Sequence, residues 1–307
     1  MSPSFKTGLS RGREHAQRAL STGAASLLPW LKNRRLRPDA LAVALYPGHL
    51  QIARLGGGWR RRVKQQETLT LATAPAGAPA WQPALEALAT LVSSGQLAGA
   101  RVSLVLSSHF VHYTLVPWND LLRSEAEKVA YARQRLVRVH GEAAQGWALR
   151  LSAAGVHQAR LACAIPGALL QAVEEVMAPL GQRYVSLQPH LMACFNRWAP
   201  RLDTQARWLA VAEPGLMCLA LLQDGQWQSV RTVRMKGDGI ERLPDLLRRE
   251  SCLVDGTGGT ERLSVLGLPL PAGKTLAGGP WQLDRPKAAA GRGSAGMDAA
   301  IAAVLDA

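Results

Sequence analysis

Cysteine is scarce and never paired: Cys163, Cys194, Cys218 and Cys252 lie far apart, with no C-x-x-C spacing. That pattern excludes a zinc ribbon and a disulfide framework, and it reads as small buried hydrophobes in a reducing compartment. Long apolar runs are missing too. The most apolar stretch near the start, residues 23–31, contains Pro29 and is followed by Lys32 and Arg34. It falls short of the roughly 20 residues needed to cross a bilayer and does not look like a secretory signal, so a cytosolic protein is expected. Acidic residues are the third shortage: 22 Asp and Glu against 36 Lys and Arg give a formal charge of +14 over 307 residues. A surplus of this sign draws polyanions, whether nucleic acid or the acidic inner leaflet of a membrane.

The surplus is uneven. Residues 1–38 carry Lys6, Arg11, Arg13, Arg18, Lys32, Arg34, Arg35 and Arg37 against Glu14 alone. This basic arm is expected to be flexible, and Arg11, Arg13, Arg18, Lys32, Arg34 and Arg35 are its candidate contacts with an anionic membrane surface. Elsewhere arginines are scattered as on a solvated surface. Segments such as Arg60-Arg-Arg62 and Arg248-Arg249 could meet phosphates. With no helix-turn-helix, zinc finger or aromatic stacking platform beside them, DNA binding is a secondary reading.

What is present is a repeat. Leu41-Ala-Val-Ala-Leu-Tyr-Pro-Gly48 and Leu209-Ala-Val-Ala-Glu-Pro-Gly215 each place a Pro-Gly turn after a short apolar run, and a second apolar run follows. Each copy continues through glycine and tryptophan (Gly58-Trp59; Gly225-Gln226-Trp227) into a third, basic segment at residues 60–71 or 228–235. A duplicated β-meander at this separation implies two related halves, not a solenoid. Between the copies, apolar periodicity predicts a helix over 81–95, strands at 101–106 and 109–116, and a helix capped by Asn119 or Asp120 and stopped by Gly141. Strands at 147–151 and 158–165, a helix to 180, a strand at 184–187 and a helix at 190–198 follow. After a boundary at 200–206 and the second meander come a helix at about 239–250, a glycine-rich turn at 256–259, a strand at 262–266, a mobile segment at 277–294 and a terminal helix at 297–305. The order is that of an α/β fold in two halves.

Other chemistry fits poorly. Gly273-Lys274-Thr275 ends like a phosphate loop, but Leu268 stands where its first glycine belongs, and Pro269 and Pro271 remove amide donors. His109 and His112 fall on opposite faces of a strand. His190 and Cys194 share a helix face without further ligands and read as a helix-start histidine and a core cysteine. Ser107-Ser108 reads as the bend between two strands. No metal or cofactor is expected.

The meanders and their order resemble the actin-like ATPase superfamily, and within it the PilM, MshI and GspL group of type IV pilus and type II secretion platforms. Residues 102–141 are similar to that group's inserted subdomain, and Gln188-Pro-His-Leu-Met-Ala-Cys-Phe-Asn196 to the helix that follows it. The resemblance implies an actin-like (ribonuclease H-like) duplicated α/β fold whose hairpins grip ATP phosphates and whose acids hold the metal. Here the first hairpin's acid, turn glycine and lysine fall on Ala44, Tyr46 and Gln51. The second hairpin's acid falls on Ala212, or on Val211 if the turn is aligned one residue differently, with Glu213 adjacent and Pro214 lacking an N–H. The adenosine-contacting glycines are reduced to Gly267. Three separate losses imply a scaffold without ATP.

The expected organisation is an arm at 1–38, a first half at 39–200 with an inserted αβ module at about 101–165, and a reduced second half at 207–307. The resemblance implies a non-enzymatic cytoplasmic protein peripheral to the inner membrane. It would bind the tail of a PilN-like bitopic membrane protein, and an assembly ATPase as a further partner, with His109, Val111, Tyr113 and Asn119 as candidate contacts. The alternative is a residual nucleotide site relying on Glu213.

Overall fold

The computed structural model of the chain describes residues 39–56, 63–199, 204–235, 241–254, 260–268 and 275–284. The expected basic arm, the glycine-rich turn at 256–259 and the terminal helix at 297–305 lie outside the described residues, as do Gly58-Trp59 and Gly273-Lys274. The first part runs β1 (Ala40–Leu45), β2 (His49–Leu55), β3 (Val63–Thr70), α1 (Gln82–Ser93), β4 (Arg101–Leu106), β5 (His112–Val116), α2 (Glu125–His140), β6 (Trp147–Leu151), β7 (Arg160–Pro166), α3 (Gly167–Met177), β8 (Tyr184–Pro189) and α4 (His190–Trp198). The second runs β9 (Arg207–Glu213), β10 (Leu216–Gln223), β11 (Gln226–Arg234), α5 (Leu243–Leu253), β12 (Arg262–Leu266) and β13 (Gln282–Leu283).

Two five-stranded sheets repeat one topology, β3-β2-β1-β4-β8 and β11-β10-β9-β12-β13, and a three-stranded sheet β5-β7-β6 stands apart. In each large sheet an antiparallel meander leads, and the later strands add parallel to the first strand of the meander. Both central strands are buried on both faces, which is why their sequences are nearly unbroken apolar runs. Leu41, Val43 and Leu45 of β1 meet Leu88 and Leu91 of α1 and Leu169 and Val173 of α3. On the opposite face Ala42, Ala44 and Tyr46 join Leu191 and Cys194 of α4 and Leu209, Val211 and Cys218 of the second sheet. The remaining face of that sheet, with Trp208, Ala210 and Ala212, packs on Leu243 and Leu247 of α5. The layers are therefore helix, sheet, a core shared by the halves, sheet, helix.

This alternation settles how the two copies correspond. Side chains switch face every residue along a strand, so a one-residue shift inverts the assignment. Ala44 faces the shared core, as does Val211, whereas Ala212 faces α5. The tetrapeptide Leu-Ala-Val-Ala is thus used in opposite phase in the two halves, and the turn is the correct anchor. Tyr46 N–H bonds His49 O at 3.0 Å around Pro47-Gly48. Glu213 pairs with Leu216 around Pro214-Gly215. Tyr46 and Glu213 are the equivalent positions.

Other elements differ from expectation for local reasons. The cap of α2 is Ser124, not Asn119 or Asp120: Ser124 Oγ accepts the Glu127 N–H at 3.2 Å while Glu127 Oε2 accepts the Ser124 N–H at 2.8 Å, a reciprocal box. Asn119 is engaged in a tighter turn, its Oδ1 accepting the Leu121 N–H at 2.9 Å. Strand β5 begins at His112, because residues 107–110 close a turn through Phe110 N–H and Ser107 O at 3.0 Å. The described part of the segment expected to be mobile, residues 277–284, is instead packed: Trp281 and Leu283 are buried against α5, as is Leu276 just before it. Asp284 binds Arg207 at 3.0 Å and Arg262 at 2.7 Å. One tryptophan and two leucines outweigh the Gly/Ala/Pro bias around them.

The small sheet carries its own aromatic stack, with His112 parallel to Trp147 at 4.1 Å and His140 tilted at 4.5 Å from His112. Burial first, and the His140 charge second, lower the His112 pKa from 6.5 to about 4. A depressed histidine favours the neutral ring, so its stabilising contribution is complete above pH 6.5 and is lost as pH falls toward 4. We expect wild type to lose on the order of 2 kcal/mol more than His112→Gln across that window in urea unfolding. Parallel pH profiles for the two proteins would refute this origin.

Candidate functional site: the cleft between the halves

A residue at each Pro-Gly hairpin approaches His190, where α4 begins after β8: the Tyr46 ring at 6.1 Å and the Glu213 carboxylate at 3.3 Å. Three features of the chain place the side chains there. Pro189 leads directly into α4, so His190 is the first helical residue and is fully buried between the halves. The turn after β4 presents Ser107, Ser108 and His109. The phase of β9 aims Glu213 at the same space.

The Glu213 side chain is 0% exposed. Its Oε2 accepts Ser107 Oγ–H at 2.5 Å, and the Ser108 N–H bridges both oxygens at 3.0 and 3.1 Å. His190 Nδ1 lies 3.3 Å from Oε1 and is likewise fully buried. Ser107 Oγ in turn accepts the His109 N–H at 3.2 Å, which leaves its own proton for the carboxylate. His109 Nε2 lies 2.9 Å from Pro214 O. A carbonyl only accepts, so this nitrogen carries the proton. Opposite, the buried Tyr46 ring stacks on His49 at 4.3 Å and meets the His190 edge at 6.1 Å. The gap between the hairpins is therefore filled by Tyr46, His190 and Glu213, with the carboxylate held by donors from the first half.

The surroundings are dry. Burial pushes the Tyr113 hydroxyl well above its usual range and raises the Cys163 and Cys218 thiols to about 12. Thiols held this way stay protonated and inert near neutral pH.

A magnesium nucleotide does not fit this arrangement. A hard cation needs open carboxylate oxygens, and those of Glu213 face Ser107, Ser108 and His190. Phosphates need free backbone amides at a turn, whereas Tyr46 N–H is bound to His49 O and Pro214 has none. Among the described residues no cluster of three or more His, Cys, Asp or Glu could hold a metal ion.

The other sequence candidates fall around this centre in different roles. Ala44 lies in the shared core and Ala212 on the far face of its sheet. Gln51 lies beside His49, its Nε2 3.4 Å from His49 Nε2. Gly267 has φ +87°, and a Cβ there would stand 2.2 Å from Ala212 O, so it is a glycine because β12 leaves against the backbone of β9. Val111 is buried in the core on the α1 and α3 side and, with His109 and Tyr113, lines the groove beside β5. His109 is committed to Pro214 and the Tyr113 hydroxyl is buried. Asn119 stays exposed. Arg11, Arg13, Arg18, Lys32, Arg34 and Arg35 lie outside the described residues. Ser107, Ser108 and His190, read from the sequence as a bend and a helix-start residue, are the side chains that complete the site. Nothing local signalled them, because their partner comes from the other half.

Duplicated sheets of this order, facing each other across a cleft flanked by two first hairpins, define the actin-like fold class. No family model matches the sequence, and no curated protein matches it. Solved structures do. The cytoplasmic domain of EpsL, an inner-membrane component of the type II secretion system of Vibrio cholerae, superposes with a TM-score of 0.55 at 13% identity, covering 88% of this chain and 95% of that one. A Bacteroides thetaiotaomicron protein of actin-like ATPase fold and unknown function gives 0.54 at 10% identity, covering 88% and 96%. The PilM–PilN type IV pilus biogenesis complex gives 0.51 at 15% identity, covering 74% and 80%. The chain has the actin-like fold in the form these proteins share.

Two substitutions test the centre. Glu213→Ala strands the Ser107 hydroxyl and the Ser108 N–H in a dry cleft and is expected to cost about 2–5 kcal/mol in urea unfolding. Gly267→Ala forces a contact with Ala212 O at an unfavourable φ and is expected to cost about 2–4 kcal/mol. A loss below about 1 kcal/mol in Glu213→Ala would mean that the halves are not locked here, and one that small in Gly267→Ala that β12 is not held against β9.

Proposed function

We propose that this chain is a non-enzymatic scaffold of a type II secretion or type IV pilus assembly platform. It would act at the cytoplasmic face of an inner membrane and bind the cytoplasmic tail of a PilN-like bitopic protein. The observation that carries the reading is the Glu213 network: in a fold whose cleft serves ATP in the actin-like class, this cleft is filled by the chain's own side chains. The likeness to EpsL and to PilM in complex with PilN supports the choice of machine and of partner. No described helix is long and apolar enough to cross a membrane, and the basic arm at residues 1–38 supplies charge for anionic lipid. An assembly ATPase fits as a further partner, since a platform protein without hydrolysis of its own must couple to one that has it.

Calorimetric titration with Mg-ATP separates this reading from a residual nucleotide site. No saturable heat is expected, and micromolar binding abolished in Glu213→Gln would overturn it. Co-purification from native membranes should recover a bitopic inner-membrane protein. Flotation on anionic liposomes should weaken on removal of residues 1–38, and equal recovery would exclude the arm as the membrane contact.

A further inference from the structure

β5 is an edge strand of the small sheet and β11 an edge strand of the second large sheet. Both line a groove of about 860 Å³; their backbones approach within 8 Å, and no backbone hydrogen bond joins them among the described residues. Two large apolar side chains in its walls are exposed, Val139 of α2 at 75% and Leu253 of α5 at 59%. In a folded protein such side chains, on the walls of one groove, mark a surface that another chain covers.

The charge of the groove says which kind of chain. Arg135, Arg231 and Arg234 line it against a single acid, Glu250. Glu250 is buried and lies 3.4 Å from Arg231 and 3.7 Å from Arg249. Arg135 and Arg234 have no carboxylate partner among the described residues. His112 and His140 are both held below the usual histidine range by burial and add no charge near neutral pH. Two buried hydroxyls in the lining, Ser108 Oγ and Tyr113 Oη, complete no hydrogen bond of ordinary geometry. The basic arm at residues 1–38 has the wrong sign to fill this groove, and a second copy of a chain of charge +14 is repelled.

We propose that the groove between β5 and β11 docks an extended acidic segment of a protein partner. The peptide lies in the groove along β11, places carboxylates on Arg135 and Arg234, and covers Val139 and Leu253. This deepens the scaffold reading by naming where and to what chemistry the chain binds.

The test uses the full-length protein and two short fluorescent peptides, one alternating valine with glutamate and one alternating valine with lysine. The glutamate peptide is expected to bind and the lysine peptide not, with affinity falling as salt rises. The double variant Arg135→Glu, Arg234→Glu should weaken binding at least about tenfold, one decade per 1.4 kcal/mol. Val139→Asp should weaken it as well. Both surfaces are exposed, so circular dichroism should remain that of wild type. Hydrogen exchange with the glutamate peptide bound should slow amides of β11. No binding, equal binding of the two peptides, indifference to the charge reversal, or protection confined to other strands would each overturn the proposal. The outcome is read without the membrane partner, so its failure is distinct from a failed co-purification, which would count against the scaffold reading instead.

Discussion

A carboxylate in a dry interior is tolerated only when donors surround it, and Glu213 is held from the other half of the molecule, by the Ser107 hydroxyl and the Ser108 N–H, with the His190 ring 3.3 Å away. The relative placement of the halves is thereby specified to within hydrogen-bond tolerance. A slide of about 1 Å would lengthen these bonds beyond their useful range and leave the charge uncompensated. Buried polar clusters of this kind add little net stability compared with an apolar filling. Their effect is on uniqueness, because apolar surfaces alone would accept several registers.

The rest of the packing follows from that register. Glu213 must face the first half, so Leu209 and Val211 face it too, and Trp208, Ala210 and Ala212 are turned toward α5. The small residues then explain themselves. Ala42 and Ala44 leave room for α4 between the sheets, and Ala212 together with Gly267 lets β12 exit against the backbone of β9. In the second half Arg207, buried at the start of β9, is matched by Asp284 at the end of β13, which ties the last described strand to the central one.

Much of the fold could be read from the chain because its signals are local. The Pro-Gly turns, the helix stop at Gly141, the strand at Arg262–Leu266 and the helix His190–Trp198 all stand where pattern and punctuation put them. The site was less legible for a physical reason. Aligning identical letters matched Ala44 with Ala212, but a strand's side chains alternate, and only the turn reveals that Glu213 answers Tyr46. His190 offered nothing to a search for ligands on its own helix face, since its partner lies in the other half. The same non-locality hid β13, where Trp281 and Leu283 gain burial only once α5 is in place.

In a nucleotide-driven protein of this class the cleft must open and close. Here opening would break the Glu213 bonds and also part a continuous apolar core running from Ala42 and Ala44 through Leu191 and Cys194 to Leu209 and Val211. Exposing on the order of 300 Å² of such surface costs about 7 kcal/mol, comparable to the whole stability of an ordinary domain. Hinge motion is thus a poor carrier of information in this molecule. A body whose halves are fixed can transmit only by what it holds in place, and that requires surfaces left incomplete. Edge strands are commonly blunted or covered when a protein acts alone. That the groove beside β5 and β11 keeps Val139 and Leu253 exposed, and Arg135 and Arg234 without a carboxylate partner among the described residues, follows if the rigid core exists to present it.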